Sequence, residues 1–226
     1  MQLQQGEKHY GIFNRPKTLQ EIQACAAVGQ CKLMINYQKL FSEYDTKVAQ
    51  VLITKTNTDK AIKNITNTFR ELLKFGVVPI VNENDAVATD EIEFGDNDTL
   101  SAIVAALIDA DLLILLTDKD GLYTDDPSIN PNAKFIETVC DNREDIKNMA
   151  KKTSDSDVGT GGMYTKILAA NIANDYGTDM IIANSKDVNV INKIIQGEKH
   201  GTLFVANPKE NFNIKEYIGM NKGVLQ

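Results

Sequence analysis

The sequence predicts an α/β fold in which helices cover both faces of a mostly parallel sheet. Short apolar runs alternate along the 226 residues with longer segments whose apolar residues recur at helical spacing. The run 111–117, DLLILLT, is apolar at almost every position, which is typical of a parallel strand buried on both faces. No repeat of fixed period accompanies this alternation.

The first strand is predicted at 48–54, VAQVLIT, and a helix follows it over 58–75. That helix is indicated by apolar residues at helical spacing, namely Ile62, Ile65, Phe69, Leu72 and Leu73. A second strand at 76–81, GVVPIV, leads through an acidic stretch into a helix over 99–110. The remaining elements are predicted as strand 111–117, a helix up to 177 behind a glycine-containing start at 159–166, strand 178–183, a helix near 187–196 and strand 202–206.

Composition excludes several classes of protein. A hydrophobic content of 42% is enough for one large domain with a substantial core. A formal charge of −7 argues against a surface for nucleic acid or anionic membranes. No stretch approaches the ~20 apolar residues of a membrane span, and the N-terminus has no signal-peptide apolar region. We therefore expect a cytoplasmic protein without membrane or nucleic-acid partners.

The three cysteines, Cys25, Cys31 and Cys140, form no metal-binding pattern, and only two histidines accompany them. We expect buried free thiols in a reducing compartment.

Polar loops follow each of the first four strands: TKTNTD, NENDA, TDKDG and ANSKD, in that order. Because ligands of such sheets lie outside the carboxyl ends of the strands, these loops are predicted to bind substrate or metal. The alternative is that Asn and Asp simply turn the chain at strand ends.

The segment 158–166, VGTGGMYTK, has three glycines within four residues, directly before a predicted helix. Its backbone N–H groups, the positive end of the helix dipole and Lys166 together predict phosphate binding. The spacing fits neither the P-loop nor the dinucleotide fingerprint. A flexible loop before an ordinary helix remains the alternative.

The segment 115–131, LLTDKDGLYTDDPSINP, carries a buried strand into an acidic turn. An EF-hand calcium loop fails here, because Leu116 and Pro127 would occupy its first and last ligand positions. The loop is better interpreted as a rim for a nucleotide base or ribose, with a plain acidic turn as the alternative.

The segment 82–98 contains seven carboxylates and no Lys or Arg. Asp98 is predicted to cap the following helix, and capping needs only one such residue. The other carboxylates and amides could receive an ammonium group, hold a lysine in place or take Mg²⁺ through water; a solvated acidic loop is the alternative. Together with the glycine-rich segment, this pattern favours phosphoryl transfer to a small substrate that bears a positive charge.

Three long segments resemble, in order and spacing, the signatures of the glutamate 5-kinases within the amino acid kinase family. They are 79–102, 115–131 and 159–166, and segments 15–34 and 197–204 fit the same family. The resemblance covers nearly the whole chain. It implies a three-layer α/β/α sandwich and transfer of the γ-phosphoryl group of ATP, with Mg²⁺ on the nucleotide, to the side-chain carboxylate of L-glutamate. The product would be γ-glutamyl phosphate, in the first step of proline biosynthesis.

The resemblance also implies roles for individual residues. Asp85 and Asn97 would contact glutamate, with Asp96 in the same cluster, and Asp98 would orient catalytic lysines. Lys166 would offset charge on the γ-phosphoryl group as it moves. The nucleotide would be bordered by Thr117 and Asp118, and its phosphates would be held by Thr160, Gly161, Gly162, Met163, Tyr164, Thr165 and Lys166.

The chain departs from the family pattern at both ends. An N-terminal strand with a Lys-x-Gly motif and a later Ser-Gly-Ala-Ile type turn are not in it, so one of two expected catalytic lysines and a substrate-binding serine are lacking. We expect an N-terminally incomplete kinase domain over 1–206, with a linker and the start of a truncated PUA-like domain over 207–226. The family suggests a homo-oligomer, dimer or tetramer, and hand-over of product to γ-glutamyl phosphate reductase.

Two other functions remain open at this point. A kinase for a related acid such as N-acetylglutamate would not need an anionic pocket around Asp85, because its amine is acylated. A non-catalytic remnant would bind nucleotide without transferring phosphate.

Overall fold

A computed structural model describes residues 18–55, 58–87, 96–140 and 162–219. These residues divide into two compact units, the first containing the described residues up to 87 together with Gly219, and the second those from 96 to 218. In the part of the chain that is described, no helix has the length and apolar character that crossing a bilayer requires.

The first unit is built around one parallel strand pair. Its elements are α1 (Leu19–Ser42), β1 (Lys47–Ile53), α2 (Asp59–Lys74) and β2 (Val77–Glu83). The strands pair from Lys47 with Val77 to Ile53 with Glu83. Because parallel neighbours need a crossover connection, α2 lies between them in the chain, as predicted.

Local sequence explains where these two helices begin. Thr18 accepts a hydrogen bond from the Glu21 backbone N–H, and the Glu21 side chain accepts from the Thr18 backbone N–H, which completes a capping box for α1. Thr58 caps α2 by accepting from the Ala61 N–H. Phe69 on α2 is buried, 1% exposed, as its place in the apolar pattern predicts.

The second unit contains the larger sheet. Its elements are α3 (Asn97–Leu107), β3 (Leu112–Thr117), β4 (Leu122–Tyr123), β5 (Phe135–Ile136), β6 (Thr138–Val139), α4 (Met163–Tyr176), β7 (Asp179–Asn184), α5 (Val190–Ile195), β8 (Thr202–Phe204) and α6 (Ile214–Gly219). The strand order is β3-β7-β8-β6, and β4 pairs with β5 in a separate hairpin. The pairs β3–β7 and β6–β8 are parallel, whereas β7–β8 is antiparallel.

The core of this unit is formed by α3, α4 and β7. The two helices pack against each other, and both carry fully buried small residues, such as Ala102 on α3 and Ala169 and Ala173 on α4, each 0% exposed. Small side chains let two helices approach closely. Met180 and Ile182 of β7 are also fully buried. The core therefore places the N-terminal turns of α3 and α4 beside one another.

The predicted strands and helices are all present, with boundaries that differ by a few residues. The β4–β5 hairpin, β6 and the short α6 were not predicted as elements. The chain enters β8 through Gly201, whose φ is +75° and whose added Cβ would lie 2.0 Å from the Ile182 carbonyl oxygen. Only glycine allows β8 to approach β7 so closely in this conformation.

The expectation of buried thiols is correct for Cys25 and wrong for Cys31 and Cys140, which are exposed. Cys31 lies on α1, and an exposed position on a helix cannot be inferred from the residue type alone.

The residues that follow β8 pack on the C-terminal end of α4. The Asn207 and Lys209 backbone N–H groups donate to the carbonyls of Asn174 and Asp175. The Asp175 carboxylate, 2% exposed, accepts from the Tyr217 hydroxyl at 2.6 Å and from the Lys209 ammonium at 2.8 Å. Residues up to 218 thus group with the second unit, while the domain boundary at 206 stays a prediction.

Candidate functional site

Helix α3 is capped by Asp96, which corrects the prediction that Asp98 is the cap. The Asp96 Oδ1 accepts from the Thr99 backbone N–H at 2.7 Å, and its Oδ2 accepts from the Thr99 hydroxyl at 3.0 Å. The apolar pattern begins only at Leu100, so the prediction set the start of the helix two residues too late. Asp98 lies inside the first turn, and its side chain has other partners.

Those partners come from the start of α4. The Asp98 Oδ2 accepts from the Thr165 hydroxyl at 2.7 Å and from the Lys166 ammonium at 2.9 Å. Both side chains of the ion pair are largely shielded, with 12% of Lys166 and 20% of Asp98 exposed. We call Asp98, Thr165 and Lys166 the helix-start cluster, since they join the first turns of α3 and α4.

Positive and negative groups meet at this cluster. The N-terminus of a helix carries partial positive charge. At the start of α4 the Lys166 ammonium adds a full positive charge to it. Gly162, the N-cap of α4, provides no side-chain cap. Burial, the largest effect, raises the pKa of Asp96, although hydrogen bonds from Thr99 oppose the shift. The site therefore combines a cation with a carboxylate that loses its proton less readily than usual.

A second polar network lies at the carboxyl ends of β3 and β7. The Ser185 N–H donates to the Thr117 carbonyl at 2.7 Å, and the Thr117 hydroxyl donates to the Asp118 carboxylate at 3.1 Å. The Asn184 amide donates to the Asp120 carboxylate at 2.7 Å and to the Asp118 carbonyl at 3.4 Å. Asn184 thus ties the predicted nucleotide rim to β7.

Below this rim the chain turns at Gly121, where φ is +155°. A Cβ there would lie 2.5 Å from the Thr202 hydroxyl and 2.8 Å from the Phe135 ring. The fully buried Thr202 accepts from the Leu122 N–H and donates to the Ile136 carbonyl. The rim therefore rests on a hairpin base that the buried Thr202 hydroxyl connects to β8.

The far end of the same loop fits the alternative of a plain acidic turn. The Asp126 carboxylate accepts from both the backbone N–H and the hydroxyl of Ser128, and these bonds lower the pKa of Asp126. Asp126 is thus explained by its own turn.

In the first unit, polar residues also gather where β1 and β2 end. Glu83 is buried, 8% exposed. Burial lowers the pKa of Lys55, and the nearby negative charge of Glu83 partly opposes this shift. The Asn82 amide donates to the Gln30 side chain at 3.3 Å. Asp85 is half-buried in the turn that follows β2.

The remaining predicted residues divide as follows. Asn97 is the exposed first residue of α3, while Gly162, Met163 and Tyr164 form the start of α4. Thr160 and Gly161 lie outside the described residues. Two residues of the networks, Asn184 and Asp120, were not predicted individually, although the strand-end loops ANSKD and TDKDG contain them.

Comparison with known proteins identifies relatives over most of the chain. The sequence pattern of the Amino acid kinase family matches residues 2–184. A glutamate 5-kinase of Clostridium acetobutylicum is 53% identical over 200 residues, which cover 88% of this chain and 74% of that protein. A glutamate 5-kinase of Carboxydothermus hydrogenoformans is 52% identical, with 92% of this chain and 56% of that protein covered. The chain thus spans only part of the length of these curated relatives.

Solved structures show the fold at lower identity. An aspartate kinase from Synechocystis superposes with a TM-score of 0.58 at 16% identity, covering 94% of this chain and 33% of that one. An isopentenyl phosphate kinase from T. acidophilum superposes with a TM-score of 0.54 at 17% identity, covering 88% and 77%. The helices and mostly parallel strands described above fit the three-layer α/β/α fold of these kinases.

Proposed function

This chain belongs to the amino acid kinase family, and we propose that it transfers the γ-phosphoryl group of ATP to the side-chain carboxylate of L-glutamate. The product is γ-glutamyl phosphate, which makes this the first step of proline biosynthesis. We choose glutamate as the acceptor because two relatives that are 53% and 52% identical to this chain are named glutamate 5-kinase.

The observation that supports this proposal is the shielded ion pair between Lys166 and Asp98 at the start of α4. ATP and the acceptor carboxylate are both anions, so their approach needs a fixed cation between them. An ammonium group held by a carboxylate is already oriented before the nucleotide binds. Lys166 therefore stabilises negative charge on the γ-phosphoryl group during transfer.

The transfer needs no enzyme nucleophile and no proton. An oxygen of the glutamate side chain attacks the γ-phosphorus, the bond between that phosphorus and the β,γ-bridging oxygen breaks, and ADP leaves. Asp98 orients Lys166 throughout. In this proposal Asp85 and Asn97 bind glutamate, and Asp96 belongs to their cluster.

The nucleotide is bordered by Thr117 and Asp118 in the same proposal. The segment from Thr160 to Lys166 holds its phosphates through backbone N–H groups at the start of α4. The Asn184 amide connects this rim to β7 by hydrogen bonds to Asp118 and Asp120.

Magnesium accompanies the nucleotide. Within the described ranges, no three His, Cys, Asp or Glu side chains gather as a metal site. That fits a Mg²⁺ ion held mainly by phosphate oxygens and water. Among the described residues, the Asp98 carboxylate contacts the first turn of α4. When bound, the ion supplies additional positive charge against the phosphates.

We extend the proposal to the setting of the enzyme. The chain acts in the cytoplasm as a dimer or tetramer and passes its unstable acyl phosphate to γ-glutamyl phosphate reductase. Size-exclusion chromatography with light scattering tests the oligomer, and a pull-down with the reductase tests the hand-over.

The function is tested by trapping the acyl phosphate with hydroxylamine as γ-glutamyl hydroxamate. We expect product that depends on both ATP and L-glutamate, and none with N-acetylglutamate or aspartate. Lys166→Met should abolish it, whereas Lys74→Met should not, because Lys74 pairs with Glu71 on the exposed surface of α2. Product with N-acetylglutamate in place of glutamate would overturn the choice of substrate, and product with neither acid would overturn the activity.

A further inference from the structure

The hydroxyl of Thr165 is engaged within the protein. It lies 2.7 Å from the Asp98 Oδ2 and 2.9 Å from the Gly162 carbonyl oxygen. Both of these atoms accept hydrogen bonds, and a hydroxyl has one proton to donate. A hydrogen bond to a carboxylate is the shorter and stronger kind. The donor that a nucleotide phosphate would need is therefore directed at Asp98.

The Asp98 oxygen that receives this hydroxyl is the one that holds the Lys166 ammonium. Consecutive residues of a helix point about 100° apart, since one turn takes 3.6 residues. One oxygen contacted from two such directions has little freedom to rotate away. Thr165 thus restricts the carboxylate, and the carboxylate restricts the lysine.

We propose that the Thr165 hydroxyl is a positioning group that fixes Asp98, and through it Lys166, rather than a ligand of the nucleotide phosphates. This rests on the proposed function, in which Lys166 stabilises the moving phosphoryl group. Thr165 then contributes to the rate of transfer and not to the affinity for ATP.

The two roles give opposite kinetics. Misplacing a reacting group by about 1 Å can cost about 100-fold in rate. For Thr165→Val, which keeps the shape and loses the donor, we expect kcat to fall at least about tenfold, with KM for MgATP changed less than about twofold. Thr165→Ser keeps the hydroxyl and should retain most of the wild-type kcat. A lost phosphate ligand would instead raise KM.

A second measurement does not depend on activity. Acetylation of lysines with a soluble active ester, read by mass spectrometry, reports how well Lys166 is held. We expect Lys166 to react at least about threefold faster in Thr165→Val than in the wild type or in Thr165→Ser. Lys74, whose side chain is 59% exposed and far along the chain from the substituted residue, serves as the internal standard.

Thr68→Val is the matched control, because the Thr68 hydroxyl bonds only its own helix at Asn64 among the hydrogen bonds described. It should leave both kcat and Lys166 labelling unchanged. If Thr165→Val does not fold at the assay temperature, Thr165→Ala removes the same donor with a better helix former.

Unchanged Lys166 labelling in Thr165→Val would overturn the proposal, and so would a raised KM for MgATP at constant kcat. Faster labelling that Thr165→Ser restores would support it. If the wild-type chain has no glutamate kinase activity, the proposed function is wrong. The labelling comparison would still decide whether Thr165 positions Lys166.

Discussion

The Tyr176 hydroxyl donates a 2.7 Å hydrogen bond to the Asp109 carboxylate, joining the last turn of α4 to the residues just after α3. The helix-start cluster joins the same two helices at their other ends. Hydrogen bonds therefore join the two helices at both ends, and Lys166 lies on a helix that is attached to α3 at its start and at its last turn.

Removing the far tie should cost stability while leaving the chemistry intact. For Tyr176→Phe we expect the free energy of unfolding to fall by about 1 kcal/mol, the usual net value of such a hydrogen bond. Urea denaturation measures it, with Tyr44→Phe as the control because Tyr44 is 82% exposed. A kcat that falls as far as in Thr165→Val would show that the two ties are not independent.

Asp96 should give a defined pH dependence. Burial raises the pKa of Asp96 above its ordinary value of 3.8, so the folded chain binds this proton more tightly than the unfolded chain does. The contribution of Asp96 to stability therefore falls as pH rises from 3.8 through the raised folded pKa, and stays low above it.

Two substitutions separate this charge from the cap. Asp96→Asn keeps an acceptor for the Thr99 N–H without the charge, and should equal or exceed wild-type stability at neutral pH. Asp96→Ala loses the cap and should cost about 1 kcal/mol. Urea titrations on both sides of the folded pKa measure this. An Asn variant as unstable as the Ala variant at neutral pH would contradict the prediction.

Asn184 should govern nucleotide affinity through the rim. Asn184→Asp sets a second carboxylate against Asp120, and the repulsion should move the loop and raise the Kd for MgATP several-fold. Adding Asp120→Asn exchanges the two groups and should restore most of the affinity, as calorimetry would measure.

The control for this charge swap is Asn192→Asp, because the Asn192 amide bonds Asn189 on the surface. Equal affinity in Asn184→Asp and wild type would mean that the rim does not contact the nucleotide.

Shortening the chain tests the predicted boundary at 206. A chain that ends at Ala206 loses Lys209 and Tyr217 and leaves the buried Asp175 carboxylate without both. We expect a loss of about 2 kcal/mol or more, or roughly 4–8 °C in Tm for a domain of this size. Asp175→Asn in the shortened chain should recover part of the loss. An unchanged Tm would instead favour a separate domain that starts after 206.

The order of elements was predictable because alternation of apolar runs and helical spacing survives in a single sequence. The apolar pattern over 58–75, for example, correctly predicts that Phe69 is buried. The start of α3 was not predictable from apolar spacing, because both Asp96 and Asp98 are good capping residues and only the backbone decides between them. The pairing of Asp98 with Thr165 and Lys166 spans 67 and 68 residues, and no local pattern encodes it.

The reversed direction of β8 has a consequence for variation among relatives. Because β8 is antiparallel to β7, the chain after Phe204 emerges beside the start of β7 and reaches α4 at Asp175. Lys166 lies nine residues earlier on that helix, roughly 14 Å away along its axis. Substitutions in residues 207–218 therefore leave the N-terminal turn of α4, which carries Lys166, unchanged. We expect homologues to diverge there, apart from the cation that pairs with the buried Asp175 carboxylate and the hydroxyl that donates a hydrogen bond to it.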